Sequence, residues 1–532
     1  MSQDDFNALP DDINQLKQLV LSSRAALESK NKVVTEHSKA LDDKQTEILR
    51  LNEIIKLFQG RVFGKSSEKS PDQAELFDEV EAKSVNADDL TAYAVEEMES
   101  GPIQPAIKPP VKAGRKPLPK ELKRIVIEHD ISDHEKTCDC GCQKTHIGDD
   151  VSEQLDIIPA VIQVIQHRRK KYACKACEGK IQVAALPPQP IPKSNASPGL
   201  LAYIAVAKYQ DGLPLFRMET IFGRLGIHLP RNTQANWMIK CRELLQPLYN
   251  LLNDQLLASG YIHMDETPVQ VLKEPDKSPE SKSYMWVRKT GDPNIPVVLF
   301  DYASSRRADV AQSLLPDFQG YLQTDDYAGY NKVAKTEGIT QLGCFAHARR
   351  KFIDAQKVAP SKKGKISKAD MAVQMIAKLY GIEKAIKEKS NEERHDIRQQ
   401  KSRPQLEKMK SWLDKALLNT LPKGKTGEAL AYTHKNWVKL TEYIKDGRLN
   451  IDNNPVENAI RPFAIGRKNW MFSDSQKGAK ASAMLYSMIE TAKANQVEPY
   501  IYLKTVFSQL PQAETLEDIV GLLPWNIDLL ES

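Results

Sequence analysis

Three acids, each at the end of a short apolar run or the start of a helix, carry the clearest chemical potential in the chain. Tyr261-Ile262-His263-Met264 leads into Asp265, and Glu266-Thr267-Pro268-Val269 follows. The run reads as a strand whose ladder Pro268 limits, which leaves Asp265 at the rim of a sheet. Gly320-Tyr321-Leu322-Gln323-Thr324 repeats the device and ends in Asp325. The third acid, Glu457, follows Asp452-Asn453-Asn454-Pro455. Asn454 reads as an N-cap and Pro455 as the first helical residue, so Glu457 falls in the first turn of a helix. Carboxylates so placed can converge on divalent ions. Mg²⁺, or Mn²⁺ in its place, takes hard oxygen ligands and leaves positions for water and phosphate oxygens. The chemistry expected is two-metal phosphoryl transfer on nucleic acid. Glu266, next to Asp265 on the strand, is expected to face the other way.

The elements that position these acids can be counted from Tyr261. Strands are expected to end at Asp265 and to span Ser283 to Arg288 and Val297 to Tyr302. A helix from Arg306 to Leu315 follows, stopped by Pro316. The strand bearing Asp325, a short helix, a strand from Thr340 to Cys344 and a basic helix from Ala346 to Ala355 complete the run. That is the element order of a ribonuclease-H-like fold, expected over residues 256–360 and resumed over 449–498. More than a hundred residues separate Asp325 from Glu457, too many for a bare connection in a compact domain. The Lys/Glu-rich stretch 361–448 therefore reads as a helical insertion. Arg349 and Arg350 on the basic helix, with Arg461, Arg467, Lys468 and the aromatic Trp470 after Glu457, suit a DNA strand held against the acids. Residues 499–532 read as a C-terminal helical element.

Upstream, Ile13, Val20, Leu27, Val34, Leu41, Ile48 and Ile55 recur at intervals of seven. This is a heptad seam on a helix over 11–60, read as a coiled coil pairing two chains or as a single helix packed on its own protein. Residues 61–120 turn acidic and then Pro- and Lys-rich, as a disordered linker does. Within them Gly114-Arg115-Lys116-Pro117 also suits a minor-groove arm. Over 121–192, Cys138-Asp139-Cys140-Gly141-Cys142 and Cys174-Lys175-Ala176-Cys177 bracket β-type sequence, which describes a zinc ribbon. Four of these five thiolates would hold a structural Zn²⁺; Cys140 fits the first knuckle with either Cys138 or Cys142. Residues 193–255 read as helices in which Leu215 to Leu225, a turn at Gly226 and a helix opening at Arg231 resemble a helix-turn-helix. Arg231, Asn232 and Gln234 would then face DNA, although three helices of an ordinary bundle read much the same. Trp237 reads as core.

The fold class expected is thus multidomain α/β: a ribonuclease-H-like core with a helical insertion, preceded by a coiled coil, a zinc ribbon and a helix-turn-helix. At 532 residues with 41% hydrophobic content, several domains of ~150 residues each have ample core. No apolar run approaches the ~20 residues that cross a bilayer, which excludes a membrane partner of that kind. Met1-Ser2-Gln3-Asp4-Asp5 has none of the marks of a signal peptide, so a cytoplasmic, nucleoid-associated protein is expected. Seven cysteines, five of them in the zinc-ribbon stretch, point to metal rather than disulfides. The net charge of +5 is too mild to announce nucleic acid by itself; the distribution says more.

Asp265-Glu266-Thr267-Pro268-Val269, Asp325-Asp326-Tyr327-Ala328-Gly329-Tyr330, Cys344-Phe345-Ala346-His347 with Arg349-Arg350-Lys351, and Asn453-Asn454-Pro455-Val456-Glu457 through Trp470 together resemble the transposases of the insertion-sequence sixty-six family. The resemblance runs nearly end to end. It implies a DDE triad of Asp265, Asp325 and Glu457, Mg²⁺ dependence, a zinc-finger-like segment and an N-terminal zipper-like region. It also implies DNA partners (element ends and target) and accessory proteins of the same element. Asp326 stands where the family usually has Gly, so Asp325 is read as the ligand. Leu522-Leu523-Pro524-Trp525 resembles the family's closing motif. On this reading Asp265 bridges two metal ions while Asp325 and Glu457 each hold one. His347, in the C-x-x-H pair with Cys344, lies near the site. The expected activity is strand cleavage and strand transfer. Two other classes stay open: a non-catalytic DNA-binding scaffold derived from a transposase, and a nuclease that hydrolyses without joining.

Overall fold

The structure is a computed structural model in which residues 12–13, 17–18, 20–38, 41, 44, 48, 162–172, 182–358 and 366–529 are described. The chain divides into two compact units, Met98–Leu186 and the remainder. In the smaller unit β1 (Lys171–Tyr172) and β2 (Gln182–Val183) form an antiparallel pair. Its connection, 173–181, contains Cys174 and Cys177. All five candidate zinc ligands (Cys138, Cys140, Cys142, Cys174 and Cys177) lie outside the described residues, as does the expected linker over 61–120. Of the β-type sequence before the hairpin, residues 162–172 are described, and among these only 171–172 are paired.

In the larger unit residues 20–38 are helical, as the heptad predicts. Val20, Leu27 and Val34 of the seam are 63–65% exposed. Next come α1 (Pro198–Tyr209), α2 (Leu215–Arg224) and α3 (Arg231–Ala258). Ser197 caps α1 by accepting the Leu200 N–H at 3.2 Å, and Pro198 sits where a missing N–H costs nothing. These helices do not have a core of their own. Leu201, Ile204, Trp237, Leu248 and Leu252 belong to one buried cluster with Ile262, Met264, Val287 and Leu299 of the sheet. The boundary read at residue 255 falls inside α3, which runs almost directly into the first sheet strand.

That sheet contains β3 (Tyr261–Lys273), β4 (Lys282–Thr290), β5 (Val298–Ala303), then, after α4 (Ala308–Ser313), β6 (Gly320–Gln323) and β7 (Ile339–Leu342). Its order is β5-β4-β3-β6-β7. The first three strands are antiparallel, and β6 and β7 run parallel to β3. The short helix expected between β6 and β7 is two 3₁₀ turns, Ala328–Asn331 and Val333–Lys335. One expectation is corrected: β3 does not stop at Asp265. Its parallel ladder with β6 ends at His263, opposite Gln323, but pairing with β4 continues past Pro268, opposite Tyr284. From Asp265 to Gln270 β3 has a ladder partner on the β4 side alone, and such an edge tolerates a proline. Asp265 still sits at a rim, because β6 has left the ladder there.

After β7 comes α5 (Phe345–Val358), followed by the insertion: α6 (Lys368–Ala385), α7 (Asn391–Ile397), a π-helical turn (Arg398–Ser402), α8 (Arg403–Leu418), α9 (Lys425–Lys435) and α10 (Trp437–Thr441). The insertion is helical, as expected, and buries Ile376, Leu379, Leu413 and Leu430 against Phe352 of α5 in a second cluster. The chain then returns through α11 (Asn454–Trp470), β8 (Ser473–Ser475), α12 (Gln476–Ala494), α13 (Pro499–Gln509) and α14 (Leu516–Val520). Leu522 and Leu523 of the closing motif are buried in the first cluster. Among the described residues no helix is long and apolar enough to cross a membrane.

Helix α12 covers the open edge of the sheet with hydroxyls as well as methyls. Ser487 Oγ accepts the Phe300 N–H at 2.8 Å. Thr491 Oγ1 accepts the Val298 N–H at 3.1 Å and donates to the Val298 carbonyl at 2.8 Å. An edge strand otherwise offers unpaired donors that invite another chain. Replacing Ser487 by Ala and Thr491 by Val should strand these groups in a dry interface. A loss of about 1–3 kcal/mol per site is expected in urea unfolding; parental stability in the double variant would sink this account of the edge.

Candidate active site

Strand geometry lines up Tyr261, His263 and Asp265 on one face of β3, since side chains alternate with period two. Asp265 Oδ1 accepts the backbone N–H of Glu266 at 2.8 Å. Asp325 lies two residues past the end of β6, and its Oδ1 accepts the Tyr327 N–H at 2.9 Å, a local turn that fixes the carboxylate. Glu457 is in the first turn of α11 and is 7% exposed. The cap of α11 is one residue earlier than expected: Asn453, not Asn454, holds the N-cap position. Its side chain makes no cap bond because it is engaged with β3.

That engagement is the frame of the site. His263 is fully buried; its Nδ1–H donates to Asn453 Oδ1 at 2.9 Å, and its Nε2 accepts from Asn450 Nδ2 at 3.2 Å. Asn453 Nδ2 donates to the Met264 carbonyl at 3.1 Å, and the Asn453 N–H reaches Cys344 Sγ at 3.3 Å. Burial, opposed by the Asn453 bond, pushes the His263 imidazole down to about 3, so it is neutral across the physiological range. Tyr261 extends the frame: its hydroxyl donates to Gln323 Oε1 and accepts the Asn450 N–H at 2.9 Å. Gln323 Nε2 in turn donates to the Gly343 and Asn450 carbonyls at 3.1 and 3.0 Å.

The electrostatics join the three acids. Burial first, then the charges of Glu266, Asp325 and Glu457, hold the Asp265 carboxyl well above the usual carboxylate range. Asp265 is thus an enclosed carboxylate under the influence of three other negative groups. Glu266 points to its own partners, as the strand alternation predicts: Arg306 donates to one oxygen and the Tyr330 hydroxyl to the other. Arg306 lies 3.6 Å from the Tyr327 ring centroid.

Beside Glu457, His347 Nδ1 and Arg350 Nη2 each stand 3.8 Å from a carboxylate oxygen. Ligand atoms of Cys344, His347 and Glu457 lie within 4.8 Å of one another, the one such metal-capable group found among the described residues. Burial and the charges of Glu457 and Asp452 hold the Cys344 thiol well above its usual range. Thiolate, not thiol, binds metal, so Cys344 held as a thiol is a poor ligand beside His347 and Glu457.

The other sequence-predicted residues fall into two groups. Arg231 and Asn232 are exposed at the start of α3, and Lys468 is exposed near the end of α11. Arg349, Arg350 and Arg461 are half-buried. Gln234 is corrected: it is fully buried, and its Nε2 donates to the Leu229 carbonyl at 2.9 Å, so it secures the turn before α3 instead of facing outward. Arg467 is likewise committed within the fold, donating to Thr267 Oγ1 at 3.2 Å and to the Pro268 carbonyl. It straps α11 to β3. Trp237 is core, as read. Sequence reasoning missed Arg306, Tyr330 and the His263–Asn453 pair as site-forming groups. The one available signal was the period of two that sets His263 on the Asp265 face.

The family model described as "Transposase IS66 family" matches residues 193–481, and the "zinc-finger binding domain of transposase IS66" matches 135–178. The "IS66 C-terminal element" matches 487–525, and "Transposase C of IS166 homeodomain" matches 50–127. These matches define the class: a transposase with a zinc-finger segment, which supports structural Zn²⁺. The chain belongs to the IS66 family of transposases. Among its relatives, "Uncharacterized protein y4qI" of Sinorhizobium fredii (strain NBRC 101917 / NGR234) is 32% identical over 547 residues, covering 97% of each chain. "Uncharacterized protein y4hP" of the same organism is 32% identical over 498 residues, covering 90% of this chain and 89% of the relative. No solved structure matches.

A pH prediction follows from His263. Its folded value lies below the unfolded ~6.5, so the unfolded state takes up the proton first. Its contribution is therefore complete above ~6.5 and is lost as pH falls toward about 3, by roughly 1.4 kcal/mol per pH unit. Urea unfolding of His263→Gln should show a pH dependence between these limits shallower than the parent's by about one proton. Equal slopes would refute a neutral buried His263.

Proposed function

We propose that this transposase binds the ends of its element and catalyses metal-dependent DNA strand cleavage and strand transfer, with Asp265, Asp325 and Glu457 as the catalytic carboxylates. The observation that carries the reading is the shared electrostatics of the three acids. Although remote in sequence, Asp325 and Glu457 both act to raise the Asp265 carboxyl. The strand order and directions support a ribonuclease-H-like core: three antiparallel strands, two parallel ones beside the first, and Asp265 on the central strand.

Asp265, Asp325 and Glu457 would hold Mg²⁺ or Mn²⁺. Such an ion lowers the pKa of an attacking water and stabilises the leaving oxygen. The protein's own groups do the rest. The His263–Asn453 bond fixes the distance between β3 and the start of α11, and the Tyr327 N–H orients Asp325. Arg350, beside Glu457, offers a guanidinium to a phosphate of the strand being cut. The exposed Arg231, Asn232 and Lys468 add phosphate contacts at a distance from the acids. The exposed seam of Val20, Leu27 and Val34 supports pairing of two chains through the N-terminal helix, since a heptad stripe is buried by a second copy. With DNA as substrate, the place of action is the cytoplasm and its nucleoid.

Asp265→Asn tests the reading twice. A raised folded carboxyl means that ionisation costs stability above the unfolded value, so removing the charge should raise the Tm of the metal-free protein at neutral pH. Added Mn²⁺ should raise the parent's Tm more than the variant's. Strand transfer with Mg²⁺ should fall by about 10³-fold, the equivalent of several kcal/mol of lost charge stabilisation. A variant that joins DNA at the parental rate would end this reading; a parent that cleaves without joining would leave a nuclease.

A further inference from the structure

The helical insertion lends side chains to the rim of the acid site. Asp326, the neighbour of Asp325, has a side chain only 16% exposed and faces two lysines of the insertion. Lys435 Nζ, at the end of α9, lies 2.9 Å from Asp326 Oδ2, and Lys439 Nζ, on α10, lies 4.0 Å from Oδ1. The backbone beneath them is fixed. The Gly343 N–H donates to the Lys439 carbonyl at 2.9 Å, and a Cβ on Gly343 would stand 3.1 Å from Leu440 Cδ2. So α10 is docked on the junction between β7 and α5, which carries Cys344, His347 and Arg350. Lys351 of that same helix lies over the ring of Tyr432, one turn before Lys435.

We propose that Lys435 and Lys439 are phosphate contacts for the DNA strand entering the acid site, and that Asp326 is the counter-ion which holds them until DNA takes its place. The proposal rests on the reading that this site acts on DNA. Lys435 is 69% exposed, and water screens its side of the pair. Lys435 can therefore exchange a carboxylate for a phosphate, and with Arg350 and Lys351 nearby the polyanion meets several cations at this edge. Lys439, 30% exposed and anchored through its backbone, is the more fixed of the two contacts.

The test measures binding of a fluorescently labelled forked DNA of arbitrary sequence to the full chain, over about 0.05–0.2 M salt. Each phosphate contact contributes close to one unit to the slope of log K against log salt. The double variant Lys435→Gln/Lys439→Gln should flatten that slope by about 1–2 and weaken binding several-fold at the low-salt end. Lys435→Arg/Lys439→Arg, which keeps both charges, should restore the parental slope. Asp326→Asn should bind DNA more tightly than the parent and keep the Mn²⁺-induced rise in Tm. A parental slope in the Gln variant, or weaker binding by Asp326→Asn, overturns the proposal. Loss of the Mn²⁺ effect in Asp326→Asn also overturns it, by making Asp326 a metal ligand. These outcomes concern binding, so they are distinct from a failure of the catalytic reading, which would appear as a parent that neither cuts nor joins DNA.

Discussion

A single buried hydrogen-bond system connects the segments that carry the three acids. Tyr261 and His263 supply it from β3, Gln323 from the end of β6, Cys344 from the start of α5, and Asn450 with Asn453 from the approach to α11. Asp265 is two residues from His263, Asp325 two from Gln323, and Glu457 four from Asn453. Each acid is thus held by a neighbour in its own segment that is bonded to another segment. Such a system works only when complete, because each unmet polar group in a dry interior costs more than its bond returns. The neutral His263 suits that demand, since a charged imidazole with Lys289 nearby would be disfavoured.

The frame also explains how a long insertion can separate Asp325 from Glu457 without separating them in space. The insertion has its own buried cluster and meets the sheet through Tyr261 and Leu342. Its return is fixed by Arg398, fully buried, which donates to both oxygens of Glu383 and to the carbonyls of Tyr443, Asp446 and Leu449. A guanidinium can serve several acceptors at once because its donors form a rigid fork. The π-helical turn that begins at Arg398 brings this residue to the segment immediately before Asn450. The position of α11 is therefore set from two sides, by β3 and by the insertion.

Much of this was legible in the sequence, for local reasons. Apolar runs ending in Asp265 and Asp325, the Asn-Pro start of the Glu457 helix and the element order all depend on near neighbours and simple periods. The helical character of the insertion was legible for the same reason. What escaped depends on partners far along the chain. Pro268 was read as a stop because its missing N–H harms a ladder, yet β3 has a free side there. Asn454 was read as the cap because nothing local reveals that Asn453 spends its side chain on His263. Gln234 and Arg467 look like DNA contacts by residue type, but Leu229 and Pro268 claim them. The helices before Tyr261 read as a module of their own, since a sequence does not disclose that Leu248 and Leu252 share a core with Ile262.

Four carboxylates, those of Asp265, Glu266, Asp325 and Glu457, would repel DNA if left unbalanced. Glu266 is balanced within the fold by Arg306 and Tyr330, so it imposes structure without asking for a cation. Glu457 has Arg350 and His347 at 3.8 Å, so positive groups already stand beside it. Asp265 accepts one backbone N–H and is pressed by three acidic neighbours. Glu266 is thus neutralised within the fold, whereas negative charge accumulates around Asp265. On the proposed reading, a cation held at these acids would turn an acidic cleft that resists a phosphate into one that attracts it, by Coulomb's law alone.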